Sequence, residues 1–264
     1  MRLCYTNRAM SEIVLNEFEV IEDMGIANLK IVQDTRLYRF TSDSVLLSRF
    51  ARLKKHETVA DFCAGSGIVA FHNYAVHLGE KTDAKYTLFE LQAPLCALAE
   101  KTVKLNDFTN FSVVNCRLQE LSERYRERFS LVLCNPPYER VGTGFDNAEY
   151  EKAICRKELT LTLPEIAQAA AKALKFGGRL CMVHRADRLA EICYVLKGYN
   201  LEVKRLQFVT GREGATPYLL LIEAVKGGKP ATELLPTLIN ARYWVYGRRK
   251  TAYRALFAFP SQGM

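Results

Sequence analysis

Short apolar stretches recur along the chain, separated by segments whose apolar residues fall at helical spacing. Thr58-Val59-Ala60-Asp61-Phe62, Tyr86-Thr87-Leu88-Phe89-Glu90, Phe111-Ser112-Val113-Val114-Asn115 and Phe129-Ser130-Leu131-Val132-Leu133-Cys134 form the first four. Runs this short and this rich in β-branched and aromatic residues read as buried strands, and their alternation with helices is the pattern of an α/β fold with a parallel sheet. A fifth strand is expected at 179–184, and two more at 201–209 and 218–225. The last two are joined by a polar loop and read as a hairpin. The spacing predicts helices over 43–53 (capped by Ser42 or Asp43), from Gly67 to Leu78, from Pro94 to Asn106, over the charged segment 118–128, over 164–175 and over 187–197. Gly177-Gly178 is expected to end the fifth of these and Gly198 the sixth. The sum is a seven-stranded, mostly parallel sheet with one antiparallel strand and helices on both faces.

The flanks differ from this centre. Residues 1–36 are mixed and polar, with an amphipathic lead-in at Ile13, Val14, Leu15, Phe18, Val20 and Ile21 and a short strand at Leu29-Lys30-Ile31-Val32-Gln33. From residue 227 to 264 acids run out after Glu233, while Arg242, Arg248, Arg249, Lys250 and Arg254 interleave with Tyr243, Trp244, Tyr246 and Tyr253. Basic side chains hold phosphates and aromatic rings stack on unpaired bases, but such a segment can equally pack its rings on the sheet. The main domain is therefore expected over 37–226.

The chain has 264 residues, 49% hydrophobic and 25% charged, within the range of a single soluble α/β domain with appendages. Its formal net charge of +8 points to an anionic partner such as nucleic acid, or to no more than a basic surface. No apolar run approaches the roughly 20 residues that span a bilayer. The start lacks the apolar core of a signal peptide, so a cytoplasmic location and no membrane partner are expected. The cysteines include no Cys-x-x-Cys pair and no cysteine–histidine cluster, so no zinc or other metal site is expected. The sequence does not decide the oligomeric state; a monomer is the working expectation.

Two places carry candidate chemistry. Cys63-Ala64-Gly65-Ser66-Gly67 follows the first strand and opens a helix, which lets backbone approach a ligand and offers free amides. No Gly-Lys-Ser/Thr follows, so phosphate hydrolysis is disfavoured. Glu90 closes the second strand, where folds of this kind hold a ribose by its two hydroxyls. The second place is Asn135-Pro136-Pro137-Tyr138, at the end of the fourth strand. Two prolines stop the ladder and stiffen the corner. The Asn135 amide oxygen and the Pro136 carbonyl can accept both hydrogens of an exocyclic amino group while Tyr138 stacks on the plane that carries it.

With these residues in order, the chain resembles the Rossmann-like class I S-adenosylmethionine-dependent methyltransferases over roughly residues 35–225. Asp61 to Gly67 looks like their first motif, Glu90 their ribose-binding acid, and Asn135 to Tyr138 the fourth motif of those that methylate amino nitrogens. A narrower likeness, to the tRNA adenine-N6 methyltransferases acting on valine tRNA, is carried by Tyr38-Arg39-Phe40 with Asp43-Ser44-Val45-Leu46-Leu47, by Arg156-Lys157-Glu158, and by Lys226-Gly227 with Leu235-Pro236. The resemblance implies catalysis by Asn135, Pro136 and Tyr138. It implies a pocket for S-adenosylmethionine from Asp61, Cys63, Ala64, Gly65, Gly67, Glu90, Asn115 and Asn135, closed by Tyr38, Phe40 and Asp43. Its expected substrate is RNA, with tRNA foremost. Cys63 stands where the family has its first glycine and Lys157 where a histidine is common. Asn115-Cys116-Arg117 replaces the usual aspartate facing the cofactor's adenine, so either Asn115 or a backbone carbonyl makes that contact. Ribosomal RNA, a protein glutamine, or an inactive cofactor-binding adaptor are the competing readings.

Overall fold

The computed structural model describes residues 2–3, 13–37, 41–78, 83–137 and 161–240. Its central sheet is built from β5 (Thr58–Phe62), β6 (Lys85–Glu90), β7 (Phe111–Asn115), β8 (Phe129–Cys134), β9 (Leu174–Arg185), β10 (Leu201–Thr210) and β11 (Leu219–Lys226). Across the sheet they run β10-β11-β9-β8-β5-β6-β7. All are parallel except β11, which is antiparallel to both its neighbours. Two short strands, β12 (Glu233–Leu234) and β13 (Leu238–Ile239), add to the β10 edge and bring the sheet to nine strands.

Both faces of this sheet are covered, which is why its strands read as nearly unbroken apolar runs. Val59, Leu131 and Leu133 point to one face, where α1 (Ser42–Phe50), α2 (Ile68–Val76) and α3 (Ala93–Leu105) pack. Ala60, Phe62, Val132 and Cys134 point to the other, covered by α4 (Leu163–Ala173) and α5 (Leu189–Gly198). Among the described residues no helix is long and apolar enough to cross a membrane.

Ahead of the sheet lie β1 (Arg2–Leu3), β2 (Val14–Leu15) and an antiparallel hairpin of β3 (Glu19–Asp23) and β4 (Lys30–Asp34). The hairpin is fastened to α3 by specific bonds: the Val32 amide donates to Thr102 Oγ1 at 3.0 Å, and Asn106 brackets Lys30 through both its amide groups at 2.9 and 2.8 Å. Buried Val32 sits with Leu95, Leu98 and Leu105 of the same helix.

Three expectations change. The charged segment 118–128 forms only two single 3-10 turns, Leu118–Glu120 and Glu123–Tyr125. Leu118 and Leu121 bury one edge, but too few apolar residues follow to hold a longer stripe against the sheet. Gly177-Gly178 does not end a helix. α4 stops at Ala173, and the glycines lie inside β9, where Gly177 takes a positive φ of 75° near a register shift between β8 and β9. The helix expected from Asp187 begins two residues later, after a 3-10 turn at Ala186–Arg188.

Candidate active site

From β5 the chain crosses to β6 and β7 on one side; from β8 it proceeds to β9 on the other. The order reverses between β5 and β8, and a crevice outside the strand ends is the expected ligand site there. The register pairs Phe62 with Cys134, so the Cys63–Gly67 turn and Asn135 leave the sheet side by side.

Asp61 is fully buried on the α1–α3 face, one residue before the end of β5. Its Oδ2 accepts the Ala70 amide of α2 at 3.1 Å, while its Oδ1 is buried with no hydrogen-bond partner. Burial, and secondarily the nearby Glu90 charge, pushes its pKa up to about 8. A buried acceptor without a donor is costly, on the order of 1–3 kcal/mol, and marks a place where a ligand donor is welcome.

Glu90 is likewise buried at the end of β6, and burial raises its pKa. Its Oε2 accepts the Gly65 amide at 2.8 Å and its Oε1 the Gln92 amide at 2.9 Å. One carboxylate thus ties the glycine turn to the next strand end and keeps a lone pair on each oxygen. The Ala64 amide donates to the Phe89 carbonyl at 3.1 Å, a second tie between the same two strands.

The turn itself needs left-handed backbone three times, at Cys63 (φ 57°), Gly65 (φ 56°) and Gly67 (φ 90°). Cys63 takes the conformation that glycine adopts freely, at a cost of roughly 1–2 kcal/mol. A hydrogen bond with Cys134 and burial hold its thiol well above its ordinary range, so it is no thiolate nucleophile. The two glycines differ in what surrounds them. A Cβ on Gly65 would meet nothing within 4 Å, whereas one on Gly67 would stand 2.4 Å from Phe71 and 2.7 Å from Leu88. Gly67→Ala therefore forces both strain and overpacking, and is expected to lower unfolding free energy by about 2–5 kcal/mol in a denaturant titration. Gly65→Ala, carrying strain alone, should cost only about 1–2 kcal/mol, although its methyl enters open space beside the turn.

Asn115, exposed at the end of β7, donates through Nδ2 to the carbonyls of Glu90 at 2.9 Å and Leu91 at 2.7 Å. With its NH2 group committed to backbone, its Oδ1 is the group left to accept from a ligand. Asn135 is half-buried and donates through Nδ2 to Ser44 Oγ of α1 at 2.9 Å. Ser44 is 2% exposed and neighbouring Asp43 5% exposed, so the first turn of α1 abuts the corner after β8. Pro136 is buried and Pro137 half-buried. Tyr38, Phe40 and Tyr138, together with Arg156, Lys157, Glu158 and the aromatic and basic residues from Arg242 onward, lie outside the described residues.

Two contacts to this site escape the sequence pattern. Ser44 lies beside Asp43 in the chain, but its bond to Asn135 spans 91 residues. Gln33 of β4, 1% exposed, donates from Nε2 to Ser66 Oγ in the glycine turn at 2.5 Å. Neither contact leaves a spacing that a reader could detect.

A doubly wound sheet with a glycine turn, a buried acid and a second acid on the adjoining strand end defines an α/β protein that binds a nucleoside-bearing cofactor. Residues 41–192 match the family model described as the methyltransferase small domain, and the chain belongs to that family. It is an S-adenosylmethionine-dependent methyltransferase. A relative from Shewanella halifaxensis, named tRNA1(Val) (adenine(37)-N6)-methyltransferase, is 25% identical over 224 residues, covering 82% of this chain and 87% of its own. Among solved structures, a protein described as a predicted O-methyltransferase from Agrobacterium tumefaciens superposes with a TM-score of 0.59 at 18% identity, over 82% of this chain and 97% of its own. P. horikoshii TYW2 in complex with MeSAdo gives 0.56 at 14% identity, over 83% and 75%. At these identities the likeness to the solved structures is one of fold.

The residues present fit S-adenosylmethionine. The unpartnered Asp61 Oδ1 suits an ammonium, the spare lone pairs of Glu90 suit a diol, the open space at Gly65 admits a ligand against backbone, and Asn115 Oδ1 can accept from an aromatic amino group.

Proposed function

We propose that this enzyme methylates the N6 amino nitrogen of an adenine in RNA, with tRNA as the substrate class. One observation carries the reading: the Asn135 amide is fixed at the switch point, beside the glycine turn, by its bond to Ser44. Relatives named as tRNA adenine-N6 methyltransferases, similar over most of the chain, support the same substrate class.

In this reading Asp61 takes the cofactor's ammonium and Glu90 its ribose hydroxyls. Cys63, Ala64, Gly65 and Gly67 shape the backbone against it, Asn115 Oδ1 faces its adenine amino group, and Tyr38, Phe40 and Asp43 close the pocket. When bound, S-adenosylmethionine supplies an electrophilic methyl on a sulfonium. An amine conjugated to a purine is a weak nucleophile because its lone pair is delocalised. Asn135 Oδ1 and the Pro136 carbonyl, each accepting one of its hydrogens, favour a pyramidal nitrogen and orient its lone pair. No strong base is needed before attack, since the proton leaves a charged product. Oriented proximity and fixed dipoles are worth up to about 7–11 kcal/mol in favourable systems. Tyr138 stacks on the base, returning roughly 1–3 kcal/mol of the few kcal/mol spent extruding it.

Residues 37–226 then carry catalysis, with 1–36 as lead-in and 227–264 as an RNA-contacting extension. The described part of that extension reaches Asn240, whose backbone amide donates to the Thr210 carbonyl at 2.7 Å, at the carboxyl end of β10 on the edge of the sheet.

Ser44 sets which way the Asn135 amide faces: its hydroxyl takes an N–H and leaves the amide oxygen for substrate. Ser44→Ala is expected to lower kcat about tenfold, the loss of one net hydrogen bond's worth of orientation, with the KM for methyl donor unchanged. Ser44→Thr, which keeps a hydroxyl, should restore most of the rate. The substrate itself is tested by incubating the protein with labelled methyl donor and, separately, bulk tRNA, ribosomal RNA and protein. Label recovered as N6-methyladenine from tRNA is the expected result; label in protein glutamine or confined to ribosomal RNA overturns the reading.

A further inference from the structure

The glycine turn is gripped from a side that no strand-end motif reaches. Gln33 lies in β4, outside the central sheet, and is 1% exposed. Its Nε2 donates to Ser66 Oγ at 2.5 Å and to the Val32 carbonyl at 3.1 Å, which commits the NH2 group and fixes the amide. Its Oε1 is buried with no hydrogen-bond partner. Asp61 Oδ1, immediately before the same turn, is in the same condition.

Two buried acceptors without donors thus flank one five-residue loop. Each costs free energy in the ligand-free protein, and nothing in the described core supplies a hydrogen to either. The hairpin that carries Gln33 is not loosely placed: Thr102 of α3 and Asn106 just after it hold its backbone, and Lys101 Nζ meets Glu19 at 2.6 Å. A polar atom kept unsatisfied by such an anchored element is preorganised for a ligand donor.

We propose that Gln33 is a further cofactor-binding residue, whose Oε1 accepts a hydrogen from the ammonium of the methionyl end of S-adenosylmethionine alongside Asp61. An ammonium carries three N–H donors and can satisfy both acceptors at once. The carboxylate supplies charge; the amide supplies a direction without adding a third acid to a buried pocket that already holds Asp61 and Glu90. Through Ser66, Gln33 also ties ammonium capture to the shape of the turn.

The test compares two ligands by calorimetry on the full-length protein. S-adenosylmethionine carries the ammonium, whereas 5′-methylthioadenosine shares its nucleoside, has a neutral thioether in place of the sulfonium and lacks the amino-acid end. Gln33→Met, similar in size and without an acceptor oxygen, is expected to weaken S-adenosylmethionine binding about tenfold, or about 1.4 kcal/mol. Binding of 5′-methylthioadenosine should stay within twofold, and the midpoint of thermal unfolding without ligand should shift by only a few degrees, because the lost bonds to Ser66 and Val32 are offset by removal of an unsatisfied buried oxygen. Gln33→Asn keeps the amide but withdraws it by one methylene, and should show the same selective loss, which covers the case of a misfolded methionine variant. Equal weakening of both ligands would mean that Gln33 acts only by shaping the turn. No weakening, or a lowered unfolding midpoint in both variants with ligand selectivity intact, would assign it a purely structural role. Either result overturns the proposal.

Discussion

Asn135→Ala is expected to reduce methyl transfer by a factor on the order of 10³ or more, while S-adenosylmethionine affinity stays within a few-fold. The asymmetry follows from where the amide sits. Asn135 follows the end of β8 and is held by Ser44, whereas the groups suited to the cofactor stand on the ends of β5, β6 and β7. Deleting a preorganised dipole aimed at a reacting group typically costs about 10²–10³ in rate, and here the same deletion frees the substrate amine to remain planar. Single-turnover rates and calorimetric Kd values on the same preparation check it. If cofactor affinity collapses along with the rate, Asn135 belongs to the cofactor's pocket and not to the reacting nitrogen. If the rate survives, the proposed chemistry at this corner is wrong, whatever Ser44→Ala does.

The second large effect concerns pH. Burial, with a smaller contribution from Glu90, lifts Asp61 from its ordinary value of 3.8 to about 8. An acid raised in this way favours the folded state when protonated. Its stabilising contribution is fully present below about 3.8 and is lost as pH rises toward 8. The ligand-free protein should therefore melt at progressively lower temperature from pH 5.5 to 7.5, and Asp61→Asn should flatten that slope. Cofactor binding runs the other way, because an ammonium prefers the carboxylate. Affinity should fall by up to about tenfold per unit as pH drops below 8, since binding must then expel a proton. The comparison belongs below pH 7.5, where the ligand's own amino group, with a pKa of about 7.7–8.0, stays charged. Asp61→Asn should bind weakly with little pH dependence in that window. Parallel affinity slopes for the wild type and the Asp61→Asn variant would show that another group governs the titration.

The parts of this molecule that sequence made legible are those in which neighbouring residues decide the outcome. β5, β6 and β8 announce themselves because each is buried on both faces and so has little polar alternation to dilute it, and β7, at the sheet edge, through Phe111, Val113 and Val114. The turn from Cys63 to Gly67 and the paired prolines after Asn135 are local backbone devices, visible wherever they occur. The segment 118–128 misleads because its charges match a helix surface while its apolar residues are too few to hold one in place. Gly177 and Gly178 mislead for a different reason: a glycine pair is as useful to an irregular strand as to a helix end, and only the pairing with β8 decides between them. What Ser44 and Gln33 would bond to was beyond reach, although the stretches that hold them were not. Their bonds join residues 91 and 33 positions apart, and a hydroxyl or an amide in isolation does not say what it will meet.

The fastening of the β3–β4 hairpin to α3 also orders events during synthesis. Val32 leaves the ribosome 70 residues ahead of the Thr102 hydroxyl that will receive its amide. At roughly 5–20 residues per second, that is a wait of about 4–14 s. The hairpin therefore waits for a helix made well after it before it can take its seat. A nascent chain halted before Asn106 would carry these early strands with their apolar side still facing water, a form for chaperones to shield and for proteases to find.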